Sequence, residues 1–279
     1  MLVIPQASHE PALPPISPAL AKAAEGLNHY NITLKLNPDA RTISITEEIA
    51  YSNTTGDTLS SLVVRLWPNA LAREDTSPAA TDELYEKAYP EGFSPGSVLL
   101  HDVKWNGTHV SHQYLDDART VLNIPVGTLQ PEESGTLYIR LVVQLPSCAY
   151  RTGYQEDTYM LGHVLPLLSV YENGEWRQDD YYPIGEPFYT ECANFRLTLS
   201  LPEGYVPVCS VPLEKEESGL WQGEGLAIRD VGLCVSPRYK KATALAGNTM
   251  IAAYAPDETG AAAALSYAKK ALETYEALY

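Results

Sequence analysis

The sequence predicts an all-β fold: a saddle-like antiparallel β-sandwich with a short helical excursion and a C-terminal amphipathic helix. Three observations predict it. Apolar and polar residues alternate over long runs, as at Ile32, Leu34 and Leu36 and again at Leu137, Ile139, Leu141, Val143 and Leu145. That is the period of a half-buried strand. Turn signals such as Asn37-Pro38-Asp39-Ala40 and Asn106-Gly107 separate the runs, as hairpins require. Only from residue 257 onward do apolar residues fall at steps of three and four, the spacing of one helix face.

The elements follow in order. Residues 1–26 hold Pro5, Pro11, Pro14, Pro15 and Pro18 among several Ala, and are expected to form a flexible linker. Asn31–Leu36 and Ile43–Tyr51 are expected to pair as a hairpin across the Asn-Pro-Asp turn. Thr54-Thr55-Gly56-Asp57 turns the chain into a third strand, Leu62–Trp67, which Pro68-Asn69 ends. Residues 69–96 leave the sheet around a short helix at 80–88, with Thr81 as its N-cap ahead of Glu83 and Glu86. Strands are expected again at 98–105, 110–115, 120–124, 137–145, 195–201, 205–210, 226–236 and 248–254. Asp257 can cap the last helix, whose apolar side carries Leu265, Ala268, Leu272, Tyr275 and Tyr279. That helix reads as an element of a continuing protein, the alternative being a C-terminal helix that folds back on the sheet. The division is therefore 1–26 linker, 27–256 β-saddle, and 257–279 first helix of a further domain.

Composition narrows the function classes. The chain has 279 residues and a net charge of −16. Such a field repels phosphate backbones, and no basic patch offsets it, so nucleic acid is not a partner. No run of 18 apolar residues exists, so no membrane span is expected. The 19 Tyr against 3 Phe suit sheets and surfaces where a ring needs a polar tip. Cys148, Cys192, Cys209 and Cys234 form no C-x-x-C pair. Two disulfides are allowed in an exported protein, and free buried thiols are the alternative. Three sequons, at Asn31, Asn53 and Asn106, matter only in a glycosylating host.

No catalytic residue emerges. H-E-x-x-H, G-x-S-x-G, the P-loop and the dinucleotide fingerprint are all missing from the sequence. His109 and His112, three apart in an expected strand, point to opposite faces and make poor metal co-ligands. Glu47-Glu48 and Asp179-Asp180 are expected on solvated faces or turns. The densest segment is 154–195, where aromatics, Gly and Pro alternate with polar groups. Loops of that length in a compact domain commonly line an interface or carry function.

Particular residues in that segment carry a resemblance. Tyr182-Pro183-Ile184-Gly185-Glu186-Pro187-Phe188-Tyr189, followed by the strand Ala193–Pro202, resembles the end of the N-terminal domain in zinc aminopeptidases of the aminopeptidase N family, the gluzincins. There an aromatic-Pro-x-x-Asp/Glu-x-Pro segment precedes a strand ending in Leu-Pro. Tyr30–Asn37 with Ile43–Asn53 resembles the first hairpin of that domain. Leu66-Trp67-Pro68-Asn69-Ala70 resembles a bacterial branch. The likeness covers roughly residues 27–255, spread over many positions.

The resemblance implies a non-catalytic β N-domain packed on a thermolysin-like domain. That second domain would hold the H-E-x-x-H-x18-E zinc site and the G-x-M-E-N substrate loop, and this sequence contains neither. It implies no cofactor in this chain, with zinc belonging to the missing domain. The implied partners are that catalytic domain and a peptide substrate, and the implied location is extracytoplasmic or at the cell surface. In the family, an N-domain residue helps bind the substrate's free amino terminus. The matching place is Leu161-Gly162-His163-Val164, which makes His163 and Gly162 the candidate substrate-binding residues. Val164-Leu165 stand where relatives carry aromatics. A histidine hydrogen-bonded within a loop is the structural alternative. For the whole chain, the alternative is a free-standing β module that binds carbohydrate or protein.

Overall fold

The structure is a computed structural model. It describes residues 16–76, 81–182, 188–247 and 249–278. The expected linker lies outside the described residues up to residue 15. Its last part is not extended: Pro18–Ala24 forms helix α1, opened by Ser17, whose hydroxyl accepts from the Leu20 amide at 3.1 Å.

Strands β1 (His29–Asn37) and β2 (Thr42–Ser52) form the expected hairpin, with Tyr30 opposite Ile49 and Leu34 opposite Ile45. β3 (Leu59–Arg65) follows and is succeeded by a 3-10 turn at Trp67–Ala72. Pro68 fixes its own φ there and removes a ladder donor, so Trp67 leaves the sheet earlier than the alternation suggests. The excursion holds helix α2 (Asp82–Ala88), capped by Thr81 as expected.

β4 (Ser97–Trp105) and β5 (Thr108–His109) flank the turn at Asn106 (φ 48°) and Gly107 (φ 78°). Both residues are left-handed, which is why Asn-Gly suits this turn. The strand expected at 110–115 shrinks to β6 (Gln113–Tyr114), while the one at 120–124 lengthens to β7 (Val121–Leu129). His109 is exposed in β5 and His112 lies outside any strand. β8 (Ser134–Gln144) is the long strand with one apolar face.

Three short pairings follow in and around the dense segment. β9 (Thr152–Gln155) and β10 (Thr158–Leu161) make one hairpin, β11 (Leu167–Leu168) joins β3, and β12 (Tyr171–Glu172) pairs β13 (Glu175–Trp176). Then come β14 (Ala193–Ser200), β15 (Val206–Cys209), β16 (Glu214–Lys215), β17 (Trp221–Ile228) and β18 (Leu233–Ser236). The single strand expected over 226–236 is thus two strands in different sheets. β19 (Lys240–Ala246) and β20 (Thr249–Ala255) form a hairpin, and helix α3 spans Glu258–Leu278.

An eight-stranded sheet runs β16-β17-β14-β1-β2-β8-β4-β5. Its inner face meets two four-stranded sheets, β15-β18-β10-β9 and β11-β3-β7-β6, around one core. The fold is therefore all-β, in sandwiched sheets. One adjacency departs from the antiparallel rule: β1 pairs β14 in parallel, with Ile32 opposite Leu197.

The expectation that Glu47 lies on a solvated face is wrong. Glu47 occupies an inward position between Ile45 and Ile49 and is fully buried. The strict period of the strand puts every second residue inside, and residue 47 takes its turn regardless of charge. Asp257 caps α3, accepting from the Gly260 amide at 2.8 Å. Helix α3 packs on β19 and β20. Its inward side is Ala261, Leu265, Lys269 and Leu272, which shares Leu265 and Leu272 with the expected face and is rotated from it by about a tenth of a turn; Ala268 and Tyr275 are exposed instead, Tyr275 at 61%.

Candidate functional site

Several residues of the dense segment meet at the end of the β9–β10 hairpin, where Tyr181 and Phe188 adjoin His163. The β9–β10 hairpin ends in Gly162-His163. Gly162 donates its amide to the Arg151 carbonyl at 2.9 Å, and the Thr152 hydroxyl donates to the Gly162 carbonyl. A Cβ on Gly162 would lie 2.9 Å from the Arg151 oxygen, so a side chain there would force the two backbones apart. His163 follows in a left-handed conformation, φ 55°.

The imidazole is held on two sides. Its Nδ1 lies 2.8 Å from Asp230 Oδ2. Its ring stacks on Phe188, with centroids 3.3 Å apart and planes within 11°. Phe188 in turn meets Trp67 edge-on at 5.3 Å, and Tyr181 leans on both rings. Val164 and Leu165 are buried beneath, in the core. His163 and Gly162 thus adjoin in the structure, with Asp230, Phe188 and Trp67 around them.

The partners of His163 were not legible in the sequence. Asp230 follows a strand boundary missed within 226–236, and Phe188 is 25 residues away in sequence. Arg65 is a further hidden member. It is buried at 2% exposure, its guanidinium lies 3.9 Å from the Trp67 ring centroid, and it donates to the Asp179 carbonyl. Burial pulls it down to about 10, and Asp116, Asp179 and Asp180 work against that shift. An inward-facing Arg at the end of β3 breaks the apolar pattern, which is the signal that could have revealed it. Pro183–Pro187, central to the resemblance, lies outside the described residues.

The space left beside His163 is about 10 Å³, lined by Trp67, Tyr150, Arg151, Tyr181 and Phe188. That admits one water-sized group. Among the described residues, no group of three or more His, Cys, Asp or Glu side chains could hold a metal ion. The described residues around His163 do not fit a zinc site. A second, larger cavity of about 160 Å³ is lined by Tyr30, Tyr51, Tyr171, Trp176 and Phe195 among others.

No family model matches the chain, and no curated protein matches it. Solved structures similar to it include a mutant of the M1 zinc metallopeptidase from Deinococcus radiodurans, at 14% identity and a TM-score of 0.47, covering 83% of this chain and 48% of that one. The M1 zinc metallopeptidase from the same organism gives 14% identity and a TM-score of 0.46, over 82% of this chain and 46% of that one. A two-domain mutant bound to L-tryptophan gives 14% and 0.47. The chain spans about half the length of these structures.

Proposed function

We propose that this chain is the non-catalytic N-terminal domain of a zinc aminopeptidase, where it walls the substrate cleft and anchors the peptide's amino terminus. The observation that carries the reading is on helix α3. One side packs on the β19–β20 hairpin. The opposite side carries Tyr267 and Leu278, exposed at 77% and 68%, and Tyr275 on the flank is exposed at 61%. A helix apolar on two sides is normally covered on both, and a catalytic domain packed there would cover the second. The zinc and its general base belong to that domain. The residues of this chain do the positioning.

Gly162 and His163 are the proposed anchor. If Nδ1 donates to Asp230, the imidazole is fixed as the tautomer whose Nε2 is an acceptor. An acceptor beside a space of about 10 Å³ matches a primary ammonium, which is close to water in size. The Phe188 stack holds the ring in place. We place the protein outside the cytoplasm on the same reading.

Two measurements test it. Coding DNA beyond residue 279 should carry an H-E-x-x-H roughly 50–100 residues on; an in-frame stop without it removes the enzymatic reading. In the protein bearing both domains, His163→Ala should raise KM for peptides with a free amino terminus about tenfold, with kcat little changed. Equal effects on amino-blocked peptides would remove the anchoring role.

A further inference from the structure

The larger cavity has a lining that mixes rings with polar groups. Its space of about 160 Å³ is roughly ten to fifteen times what one water needs, enough for one small ring. Trp176 donates its indole N–H to the Ser61 carbonyl at 3.0 Å, and Tyr171 donates its hydroxyl to Asp57 Oδ2 at 3.0 Å. Both rings are pinned by these bonds. Tyr171 meets Trp176 at 5.1 Å and 73°, and Tyr51 leans on Trp176 at 6.4 Å and 49°. Tyr30 and Phe195 are nearly parallel, but at 4.8 Å they stack on each other. None of these pairs leaves a parallel-sided slot, which a flat heteroaromatic guest needs to stack on both faces.

Tyr51 indicates what fits. It lines the cavity at 5% exposure, and its hydroxyl bonds to no described residue. Burial pushes that hydroxyl up to about 12, with the nearby Tyr171 hydroxyl adding to the shift. It therefore stays protonated at neutral pH, able both to donate and to accept. A buried hydroxyl without a partner is costly, and a guest that bonds it recovers that cost. Asn28, also in the lining, accepts the Ser52 amide at 3.2 Å through Oδ1, and its side-chain N–H₂ has no described partner. The charges in the lining balance. Glu191 and Arg229 are both exposed, and Arg229 Nη1 donates to the Thr190 carbonyl at 2.7 Å. One acid and one base select neither a cation nor an anion. An amino-acid zwitterion would meet both, but pairings at exposed groups contribute little, and it offers Tyr51 nothing. An apolar guest would leave the Tyr51 hydroxyl unpaired. The guest that suits this lining is neutral and non-planar, with hydroxyls around its edge and C–H faces for the rings.

We propose that this cavity binds a single neutral sugar ring, with Tyr51 and Asn28 bonding its hydroxyls and Trp176 and Tyr171 as its ring walls. None of the lining residues borders the space beside His163. The sugar site and the peptide-anchoring reading can therefore fail separately.

The probes are the methyl glycosides of glucose, galactose, mannose and N-acetylglucosamine, titrated against the intact chain by ligand-observed NMR. At least one should bind saturably, in the millimolar range or tighter, and at least about fivefold tighter than sorbitol, leucine, choline or adenine. Tyr51→Phe should weaken that sugar about three- to tenfold, the loss of one hydrogen bond, while the melting temperature stays at or above that of the parent. Trp176→Leu should weaken it at least as much. If Trp176→Leu does not fold, Tyr51→Phe decides alone, because it removes one oxygen and keeps the ring. The proposal is overturned if none of the four glycosides saturates, if leucine, choline or adenine binds more tightly, or if folded Tyr51→Phe binds the sugar as the parent does.

Discussion

Glu47 sits directly across from Ile139 of β8, inside a face that is otherwise hydrocarbon and tyrosine. Burial raises its carboxyl well above the usual 4.5. A carboxyl raised in this way holds its proton more tightly in the folded chain. Its contribution to stability is intact below about pH 4.5 and is lost as pH climbs through the folded value. Urea denaturation between pH 4.5 and 8 should therefore show a downward stability slope that Glu47→Leu flattens. At pH 7 the Leu variant should gain roughly 1–3 kcal/mol, because it removes a buried charge and fills the same space. A Leu variant less stable than the parent at pH 7 would mean that Glu47 has a stabilising partner.

The Asp230 carboxylate and the His163 imidazole are each only partly exposed, at 25% and 16%. Their pairing should be worth more than a surface ion pair and less than a sealed one. A double-mutant cycle of His163→Phe and Asp230→Ala isolates it, since Phe keeps the stack on Phe188. The coupling energy should be about 0.5–1.5 kcal/mol. A value near zero would show that the aromatic stack alone fixes the ring, and the tautomer argument would go with it.

Legibility followed physical period. The hairpin β1–β2 and strand β8 were readable because alternation reports one buried face and needs nothing from distant sequence. The α2 cap at Thr81 was readable because capping is local, within three residues. What failed was set by tertiary partners. Alternation assigned Ile45 and Ile49 inward and passed over Glu47 between them, because charge was allowed to outvote period. The 226–236 run split because Asp230, Val231 and Gly232 carry the chain from one sheet to another, and no local signal marks a change of sheet. Gly162 and His163 were singled out through resemblance alone. Their neighbours Asp230, Phe188 and Arg65 come from three separate stretches, and one sequence cannot bring those together.

Asn53 carries a sequon, yet its side chain is fully buried. The amide donates to the Asp57 carbonyl at 2.9 Å and the Leu129 carbonyl at 3.0 Å, and its oxygen accepts from the Thr55 amide at 3.1 Å and hydroxyl at 2.6 Å. It ties the turn after β2 to the end of β7. Asn53→Ala should cost roughly 1–3 kcal/mol, since it strands the buried Leu129 carbonyl, while the exposed Asp57 carbonyl keeps the Thr55 hydroxyl at 3.2 Å. Secretion from a glycosylating host should leave Asn53 bare by mass spectrometry. A glycan there would show that the turn forms only after modification, or not as described.

The four cysteines make the last case. All are free in the structure. Cys209 opposes Leu233 and Cys234 opposes Val208 in the β15–β18 pair. Directly opposed residues share a face and neighbours alternate, so Cys209 and Cys234 point to opposite sides of the sheet. That register forbids a bond between them without a one-residue slip. Burial also pushes the Cys148 and Cys209 thiols up to about 11 and raises Cys234. Thiolate, the reactive form, is therefore scarce at those three sites at pH 8. Partly exposed Cys192, beside the larger cavity, should react first with iodoacetamide in the native chain, Cys209 and Cys234 more slowly, and buried Cys148 only on unfolding. Peptide mapping after brief alkylation gives the order directly. Early labelling of Cys148, which lies at 1% exposure, or a disulfide joining Cys209 to Cys234, would contradict the register and the packing together.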